Sequence, residues 1–462
     1  MSARTFAWGL TLACLSVALA SAQNRAPAAP GDSIAAVAAA PQAPTSAPAH
    51  DVVIRGGTIM TVSHGEIRNG AILIHDGKIA AIGSRVDIPQ GAQVIDATGK
   101  WVTPGLVDCH SHSALDGDVN EATSPIVPQM MMKDAFEYQS KDLYRALAGG
   151  VTTELLLHGS ADMIGGQALV IKTKYGLGRD QLLFPNAPRS IKFASGENPK
   201  RVFGSRHQLP STRMGNFEVM RQAFTDARDY MRQWDDYDQK VKSGDKTARP
   251  PKRDLKLDAL ADVLRGKLLV QIHCYRSDEL LTELSIAREF GYKVRAFHHA
   301  LEAYKVAPQI AAAGVAIATW PDWWGGKVEM NDGIPWNAVI AMRNGVRVAL
   351  KSDSDDLVRR LNQEAGKVIR TGATEDEALR MITLNPAWII GVDDRIGSLD
   401  VGKDADIVVW NSFPMSTFAL ADKVLIDGDV FFDRSLPGYG LTHYTTPLRG
   451  ASSSFGGAER ER

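Results

Sequence analysis

The chain has 462 residues, of which 44% are hydrophobic and 23% are charged, and this composition is typical of a globular enzyme with a large core. Its 52 basic and 53 acidic residues leave a net charge of −1, and no basic stripe runs along the sequence. These features argue against nucleic acid as a partner.

The first 22 residues have the pattern of an export signal. Arg4 supplies the positive start, residues 6–20 are apolar, and residues 20–22 form an A-x-A cleavage site. The apolar run is short for a membrane span, although a retained anchor is the alternative. We therefore expect a signal peptide over 1–22, a periplasmic or secreted protein, and no stable membrane insertion after cleavage.

Two further segments have compositions that favour little structure. Residues 23–50 are rich in Ala, Pro and Ser, which is typical of a disordered linker with nothing to bury. Residues 436–462 are polar and rich in glycine, and we interpret them as a tail.

Short β-strands are predicted at both ends of the remaining chain. Segments such as DVVIRGG, AILIHDGKIAAIG and QVIDATGKWV carry β-branched residues between Gly and Asp turn signals. A second patch of the same kind, with IGSLDVGKDADIVVWN and KVLIDGDVFFD, follows the long central part. The simplest interpretation is one small β-sandwich domain formed by residues 51–103 plus 390–435.

The central residues, 104–389, alternate apolar runs of strand length with helical stretches. We predict strands near 105–112, 151–158, 168–174, 190–195, 267–275, 294–300, 314–320 and 346–353. Most are continuously apolar, as in a parallel sheet that is buried on both faces. Eight strand–helix units predict an α/β fold of the (β/α)8 TIM-barrel type, whose chemistry lies at the C-terminal strand ends. The charged stretch 216–252 is predicted to be a helix plus an exposed loop.

Histidines and an aspartate follow four of these strands. His110 and His112 end the first strand, and both point to the same face because strand side chains alternate. Further members follow the fifth, sixth and eighth strands: His273, the pair His298 and His299, and Asp353. A lone histidine after a strand is more often structural, but agreement among four strands favours a divalent metal site.

Removal of the signal would leave two cysteines, Cys109 and Cys274, each beside one of these histidines. On a strand, the neighbour of an inward-facing residue points outward. We therefore expect both thiols to be packed behind the site rather than joined in a disulfide.

The opening GLVDCHSH, the paired β-patches and the closing NPAWIIGVDDRIGSLDVGKDADIVVW resemble the amidohydrolase superfamily, over residues 51–432, and the closing segment resembles its imidazolonepropionase-like branch. The resemblance implies one or two divalent metal ions, zinc first, with manganese, iron and cobalt as alternatives. It places the ligands on His110, His112, His273, His299 and Asp353. His299 is preferred to His298 because the family pattern has this ligand directly before a small residue, here Ala300.

The resemblance also implies a group that bridges two metals, and the segment RSIKFASGENPKR offers two candidates. The family often uses a lysine near the end of strand four, carbamylated to make it anionic. Lys192 lies in an apolar strand, where an unmodified ammonium is costly to bury. Glu197 follows a glycine just past that strand and needs no modification. Lys192 is the narrow preference; in the structural alternative it snorkels outward and Glu197 caps the next turn.

Substrate contacts are expected from the loops around the rim. Tyr275 and Arg276 follow the fifth strand, and Arg276 could bind a substrate carboxylate through two of its nitrogens. It could equally pair with Asp278 or Glu279. His158, at the end of the second strand, is another candidate.

A tryptophan cluster follows the seventh strand. Trp320, Trp323 and Trp324 stand beside a glycine pair, and Trp323 is our candidate for a substrate contact in a hydrophobic lid. The alternative is that these tryptophans only pack the loop against the barrel.

These residues together predict a secreted hydrolase of an amide or cyclic amide C–N bond, with dipeptide-like compounds among the candidate small-molecule substrates. A metal-activated water would attack the carbonyl carbon, and Asp353 would pass the proton of that water to the leaving nitrogen. The alternatives are a deaminase of the same superfamily, which usually uses one metal, and a barrel retained only for binding. A homo-oligomer is left open.

Overall fold

The computed structural model describes residues 50–323 and 325–436. The predicted signal peptide, all but the last residue of the predicted linker, all but the first residue of the predicted tail, and Trp324 lie outside the described residues. In the described part of the chain, no helix is both long enough and apolar enough to cross a bilayer.

The described residues form seventeen β-strands. Five precede the central part: β1 (Asp51–Met60), β2 (Glu66–His75), β3 (Lys78–Gly83), β4 (Gln93–Asp96) and β5 (Trp101–Pro104). Nine lie within it: β6 (Leu106–Ser111), β7 (Val151–Leu156), β8 (Ile164–Gln167), β9 (Leu169–Lys172), β10 (Ser190–Ala194), β11 (Leu269–Cys274), β12 (Val294–His299), β13 (Ala316–Thr319) and β14 (Val348–Leu350). Three follow it: β15 (Ile407–Trp410), β16 (Ala421–Ile426) and β17 (Asp429–Asp433).

The same residues form eleven α-helices: α1 (Lys141–Ala148), α2 (Arg179–Leu182), α3 (Glu197–Gly204), α4 (Arg213–Lys242), α5 (Leu255–Leu264), α6 (Ser277–Phe290), α7 (Ala307–Ala312), α8 (Asn337–Arg343), α9 (Leu361–Arg370), α10 (Glu375–Met381) and α11 (Leu384–Ile390). Side chains cap several of them. The Asp254 side chain accepts hydrogen bonds from two backbone N–H groups in the first turn of α5. Thr374 forms a capping box with Glu377 on α10. Helix α6 ends at Gly291, whose φ of +77° is the left-handed conformation that often closes a helix.

The two ends of the described chain form one eight-stranded sheet, in the order β17-β16-β15-β5-β1-β2-β3, with β4 paired to β1. The antiparallel pair β5–β15 joins them, with Ile407 opposite Pro104 and Trp410 opposite Trp101. Both segments predicted to build the small domain therefore meet in one sheet. The two-layer sandwich that we expect there stays a prediction.

The strands of the central part form two sheets. A six-stranded sheet has the order β14-β13-β12-β11-β10-β8, and a three-stranded sheet has the order β6-β7-β9. The pairs from β10 to β14 and the pair β6–β7 are parallel, as their continuously apolar sequences predict. Among the described residues the ladders do not close into a ring, so the closed barrel stays a prediction at this point.

The prediction of a parallel barrel strand over 168–174 is wrong. Strand β9 occupies this segment, but it pairs antiparallel with β7, and β8 pairs antiparallel with β10. A parallel return usually needs a crossover helix. Between β7 and β9 the described chain holds only loop and the short strand β8, so it returns in the opposite direction.

The prediction of a helix plus an exposed loop over 216–252 is confirmed by α4 and the loop after it. The buried residues of α4 recur at helical spacing, and they include Phe217, Met220, Phe224, Ala227 and Tyr230. The Phe224 ring packs on Phe193 of β10, with ring centroids 6.0 Å apart. One face of this long helix therefore covers the central sheet while its charged face meets solvent.

The C-terminal ends of the parallel strands meet at one edge. Ala194 of β10 lies opposite His273 of β11, and His273 lies opposite His298 of β12. The chain after β14 reaches the end of β6, where the Asp353 N–H donates to the backbone oxygen of His110 at 2.9 Å. The side chains that follow these strands therefore converge on one mouth.

Candidate metal centre

His110 and His112 lie at the end of β6, and their Nε2 atoms are 3.3 Å apart. His110 is 1% exposed. The Nδ1–H of His112 donates to the backbone oxygen of Leu157 at 2.7 Å. Because only one nitrogen of a neutral imidazole carries the proton, this bond leaves the lone pair of His112 on Nε2, the atom that faces His110.

Asp353 approaches this pair from the chain after β14. Its φ of +56° is uncommon for a residue other than glycine. The Oδ1 atom is 3.2 Å from Nε2 of His110 and 3.2 Å from Nε2 of His112. The Oδ2 atom is 3.6 Å from Nδ1 of His299 and 3.2 Å from Nζ of Lys351. One carboxylate thus joins the imidazoles of two different strands.

His273 and His299 extend the group from β11 and β12. Their ring centroids are 4.3 Å apart, and both residues are 2% exposed. Their four ring nitrogens have no hydrogen-bond partner within the described part of the chain. Buried polar atoms normally find a partner, so these nitrogens are available to a ligand.

Burial keeps these imidazoles in the neutral form that binds metals. Burial and the neighbouring Lys192 hold the pKa of His110 well below its usual value. Burial is also the main reason why the pKa values of His273 and His299 are well below the usual value. Neutral imidazole nitrogens and carboxylate oxygens are the ligands that zinc and related divalent ions take in proteins.

The spacing of the donor atoms fits a metal ion. One ligand atom each from His110, His299 and Asp353 lies within 4.8 Å of the others. Nε2 of His110, Nε2 of His112 and Oδ1 of Asp353 are 3.2–3.3 Å from one another. Ligand atoms about 3.3 Å apart are expected around a tetrahedral ion with bonds of about 2.0–2.1 Å. A cation among these electron-pair donors would also relieve their mutual repulsion.

Lys192 is the bridging candidate that contacts a predicted ligand. It is 1% exposed, with Nζ 3.4 Å from Nε2 of His110 and 3.3 Å from the backbone oxygen of His158, so it does not snorkel to solvent. Glu197 begins α3, and its N–H donates to Oε2 of Glu329 at 2.9 Å. The N–H of Glu329 donates in return to Oε2 of Glu197 at 3.2 Å. This reciprocal pair occupies the Glu197 carboxylate.

Lys351 is a site residue that the sequence analysis missed. It is 0% exposed, and its Nζ lies 3.4 Å from the ring centroid of Trp320 and beside Asp353. Burial lowers the pKa of Lys351 to about 8, although Asp353 opposes the shift. Burial also opposes the charge of Asp353, but the ammonium of Lys351 favours it, and the Asp353 pKa lies well below its usual value. The available signal was a lysine within an apolar strand, the same one that marked Lys192.

Asp108 was also missed. It is 0% exposed, and its Oδ1 accepts the N–H of His110 at 3.0 Å and the N–H of Ser352 at 3.3 Å. Its Oδ2 accepts the Ser352 hydroxyl, and burial raises its pKa to about 6. Asp108 therefore ties the end of β6 to the chain that carries Asp353. An aspartate inside an apolar strand carries no signal specific enough to reveal this role.

Aromatic rings form a wall beside His299. The Tyr275 ring stacks on His299 with centroids 4.7 Å apart, and the Trp320 ring lies 4.8 Å away. Trp323 stacks on Trp320 at 4.6 Å. Tyr275 and Trp320 are buried, whereas Trp323 is partly exposed. The two tryptophans therefore pack this loop against His299, a predicted metal ligand. A substrate contact of Tyr275 or Trp323 stays a prediction.

Two other predicted substrate residues already have protein partners. Arg276 pairs with Asp278 through Nε at 3.1 Å and Nη2 at 3.2 Å, which is the alternative pairing left open above. His158 is 1% exposed; its Nδ1–H donates to the oxygen of Gly159, and its Nε2 accepts the N–H of Glu121, each at 3.1 Å. A substrate role for either residue stays a prediction.

Cys109 and Cys274 are both free and buried, as expected from their places beside the ligands. Burial raises the pKa of each thiol well above its usual value, so both stay protonated. Neither thiol has the features of a reactive cysteine.

The chain matches the amidohydrolase family over residues 101–431. The amidohydrolase tasK of Hapsidospora irregularis is 34% identical over 393 residues, which cover 79% of this chain. The matched part is 40% of that protein, so this chain spans less than half of its length. An imidazolonepropionase of Mesorhizobium japonicum is 26% identical over 390 residues, which cover 75% of this chain and 87% of that protein.

Solved structures are similar over most of the described chain. A crystal structure of an amidohydrolase from Thermotoga maritima MSB8 has 35% sequence identity and a TM-score of 0.77, and it covers 83% of this chain and 100% of that chain. Together with the family match, this likeness implies a TIM barrel of mixed α/β content. The matched residues include His110, His112 and Asp353. The chain therefore belongs to the amidohydrolase family, in its imidazolonepropionase-like branch.

Proposed function

We propose that this protein is an exported, metal-dependent amidohydrolase that cleaves an amide or cyclic amide C–N bond. The observation that carries this proposal is the convergence of His110, His112 and Asp353, whose donor atoms lie 3.2–3.3 Å apart. The neighbouring buried imidazoles of His273 and His299, with unpartnered nitrogens in the described chain, add further donors. Membership of the amidohydrolase family supports the same chemistry.

The protein side of the reaction follows from the placement of Asp353. His110, His112 and Asp353 would hold a divalent ion, which would supply Lewis acidity and make water a stronger nucleophile at neutral pH. Because Oδ1 of Asp353 faces His110 and His112, its Oδ2 remains to take the proton of the attacking water and return it to the leaving nitrogen. Lys351, 3.2 Å from Oδ2, orients this oxygen and keeps the carboxylate ionised.

Carbamylation of Lys192 is part of the two-metal form of this proposal. Addition of carbon dioxide to the neutral amine, with release of one proton, gives an anionic carbamate and removes the cost of a buried ammonium. The contact of Nζ with His110 at 3.4 Å supports this choice over Glu197. Crystals of the metal-loaded protein test it: extra density on Lys192 that touches both ions supports the bridge, and Glu197 as a ligand contradicts it.

A mononuclear deaminase is the second candidate. The observation that favours it is that His110, His299 and Asp353 offer three ligand atoms within 4.8 Å of one another, which could hold a single ion. Metal analysis of the purified protein separates the candidates, since the bridged site binds about two equivalents. A single tight equivalent favours the deaminase.

The substrate is tested by a screen of metal-loaded protein against N-acyl amino acids, dipeptides, lactams and hydantoins, beside an ammonia-release assay. We expect turnover of at least one amide class and its loss in Asp353→Asn. Ammonia release from an amino-substituted ring supports the deaminase. A metal-loaded protein that turns over neither class contradicts both and leaves a binding barrel.

Export is tested separately from catalysis. The pattern of residues 1–22 supports cleavage after Ala22, so the mature protein should begin at Gln23. N-terminal sequencing of the protein from periplasm and medium checks this. An uncleaved protein found only in the cytoplasm contradicts export and leaves the proposed reaction untouched.

A further inference from the structure

Two buried side chains lie beneath the metal ligands without being ligands themselves. His298 directly precedes the ligand His299, and Gln271 lies two residues before the ligand His273. Both are 0% exposed, and they stand on the neighbouring parallel strands β11 and β12. Together with His110 they form a chain of hydrogen bonds that ends on a backbone carbonyl.

The first bond orients the amide of Gln271. Its Nε2 is 3.2 Å from the backbone oxygen of Ile389, in the last turn of α11. The final carbonyls of a helix have no partner within the helix and can only accept. The NH2 group of Gln271 must therefore face Ile389, and its Oε1 faces the other way, toward His298.

The second bond sets the proton of His298. Its Nε2 is 2.9 Å from Oε1 of Gln271, an acceptor, so Nε2 carries the hydrogen. The ring is 0% exposed, in surroundings where a second proton, and with it a charge, is costly. A neutral ring with its proton on Nε2 has its lone pair on Nδ1.

The third hydrogen bond fixes which ring nitrogen of His110 carries the proton. Nδ1 of His298 is 2.8 Å from Nδ1 of His110, so His110 donates from Nδ1. Its lone pair is then on Nε2, which lies 3.2 Å from Oδ1 of Asp353 and 3.3 Å from Nε2 of His112. The opposite tautomer of His110 would point an N–H into the site and block a metal.

We propose that Gln271 and His298 are positioning residues that select the metal-binding tautomer of His110. The relay starts at the carbonyl of Ile389 and keeps Nε2 of His110 free for a divalent ion. His112 reaches the same tautomer in one step, through Leu157. Outer groups of this kind fix the ring orientation and tautomer of ligating histidines in many metal sites. This inference rests on the metal site of the proposed function.

The backbone at the end of β12 turns so that two consecutive histidines both lie near the metal site. Neighbours on an extended strand face opposite sides, so His298 and His299 could not both reach the site from a regular strand. His299 has a φ of +72° and Ala300 a φ of +44°. This left-handed turn brings His299 to the mouth while His298 stays below His110.

Nuclear magnetic resonance of the metal-free full chain, labelled with ¹⁵N at histidine, reads the tautomers directly. We expect His298 to carry its proton on Nε2 and His110 on Nδ1. Signals are assigned from their loss in His298→Asn and His110→Asn. A proton on Nε2 of His110 in the wild-type protein overturns the relay.

Zinc titration of the metal-free protein, with a chromophoric chelator as competitor, measures the consequence. His298→Leu and His298→Asn are a matched pair of similar size, but only Asn has an oxygen where Nδ1 stands. We expect zinc affinity to fall about 10–100-fold in the Leu variant and to return to within about threefold of wild type in the Asn variant. Wild-type affinity in the Leu variant, or equal losses in both, contradicts the proposal.

A double-mutant cycle separates a relay from simple packing. Gln271→Leu should weaken zinc binding about tenfold in the wild-type background and have no further effect in His298→Leu. Equal effects in both backgrounds mean that Gln271 acts independently and overturn the relay. None of these measurements uses a substrate, so the two proposals can fail separately. If the tautomers and zinc affinities are as expected but no amide is hydrolysed, the proposed function is wrong and the relay still stands.

Discussion

Two clusters of buried titratable side chains differ in whether their members have hydrogen-bond partners among the described residues. At the end of β9, Lys172 is 1% exposed. Its ammonium contacts three carboxylates: Asp404, Asp406 and Asp427. At the mouth of the central sheet, His273 and His299 are equally buried, but their ring nitrogens have no hydrogen-bond partner among the described residues.

This difference distinguishes buried polar groups that stabilise the fold from those that are available to bind a metal ion. Burial opposes the charge of Lys172, but its three carboxylates outweigh burial and raise its pKa. Asp353 also favours the charged form of His273 and His299, but it does not outweigh burial, and their pKa values stay well below the usual value. A closed cluster of this kind ties strands together, whereas an open one marks a binding site.

The largest effect is expected where the open cluster is destroyed. The double variant His110→Ala/His112→Ala should lose at least about 10³-fold in turnover and most of its bound metal, because two ligands are removed. Assays on the active substrate and metal analysis check this. His64→Ala, whose side chain is 71% exposed, is the control and should be unchanged. Unchanged turnover in the double variant would remove the active-site assignment.

The closed cluster should show the opposite behaviour. Lys172→Met leaves Asp406 without its cation and removes one of the cations that contact Asp404 and Asp427. We expect a loss of about 3–5 kcal/mol in the free energy of unfolding with metal content retained. Lys174→Met is the matched control, because Lys174 forms one ion pair among the described residues, with Asp427 at 2.6 Å, and is 19% exposed. It should cost about 1 kcal/mol or less. Chemical denaturation measures both, and equal small losses would contradict the structural role of Lys172.

Glu329 sharpens the comparison through pH. It is 3% exposed, and burial raises its pKa to about 7 despite the N–H bond from Glu197. Because this pKa is higher in the folded state, the protonated carboxyl stabilises the fold below about pH 4.5, and this contribution is lost as pH rises through about 7. Between pH 5 and pH 8 this titration should lower the free energy of unfolding of the wild-type protein by at most about 3 kcal/mol. The Glu329→Gln protein should not show this decrease.

Asp404 of the closed cluster has the reverse sign. Lys172 outweighs burial and lowers the Asp404 pKa, so its stabilisation is present at neutral pH and lost as pH falls through the folded-state pKa. Denaturation midpoints measured between pH 3 and pH 8 check both pH dependences, that of Asp404 at the acidic end and that of Glu329 above pH 5.

If stability falls with pH above pH 5 as steeply in the Glu329→Gln protein as in the wild type, the raised pKa of Glu329 is contradicted.

The smallest effect concerns Arg276, a partly exposed residue at the edge of the open cluster. The Arg276–Asp278 pair should contribute less than about 1 kcal/mol to stability. If the guanidinium also binds a substrate carboxylate, Arg276→Ala should raise KM about tenfold for N-acyl amino acids with kcat unchanged. Asp278→Ala is the control and should keep its KM. Equal KM values for both variants leave Arg276 as a surface ion-pair partner only.

Local sequence pattern predicted much of the site. Strand alternation placed His110 and His112 on one face, and the apolar runs before His273 and Asp353 placed them at strand ends. The structure brings the first two and Asp353 within hydrogen-bonding distance of one another. The bridging role of Lys192, with Glu197 as its alternative, is implied by the family resemblance and stays a prediction. Lys351 also lies at the end of an apolar run, but the resemblance did not point to it.

The sequence by itself determined the elements, the two-ended β-sheet and the residues that stand at strand ends, because periodicity and burial act over a few neighbours. The tertiary structure decided the partners. The direction of β9, the pairing of Arg276 with Asp278 and the turn at His299 depend on connections and contacts that no local pattern contains. His110 and His298, 188 positions apart, meet only when the parallel strands align. Hydrogen bonds join atoms that are close in space, and the fold alone sets that distance.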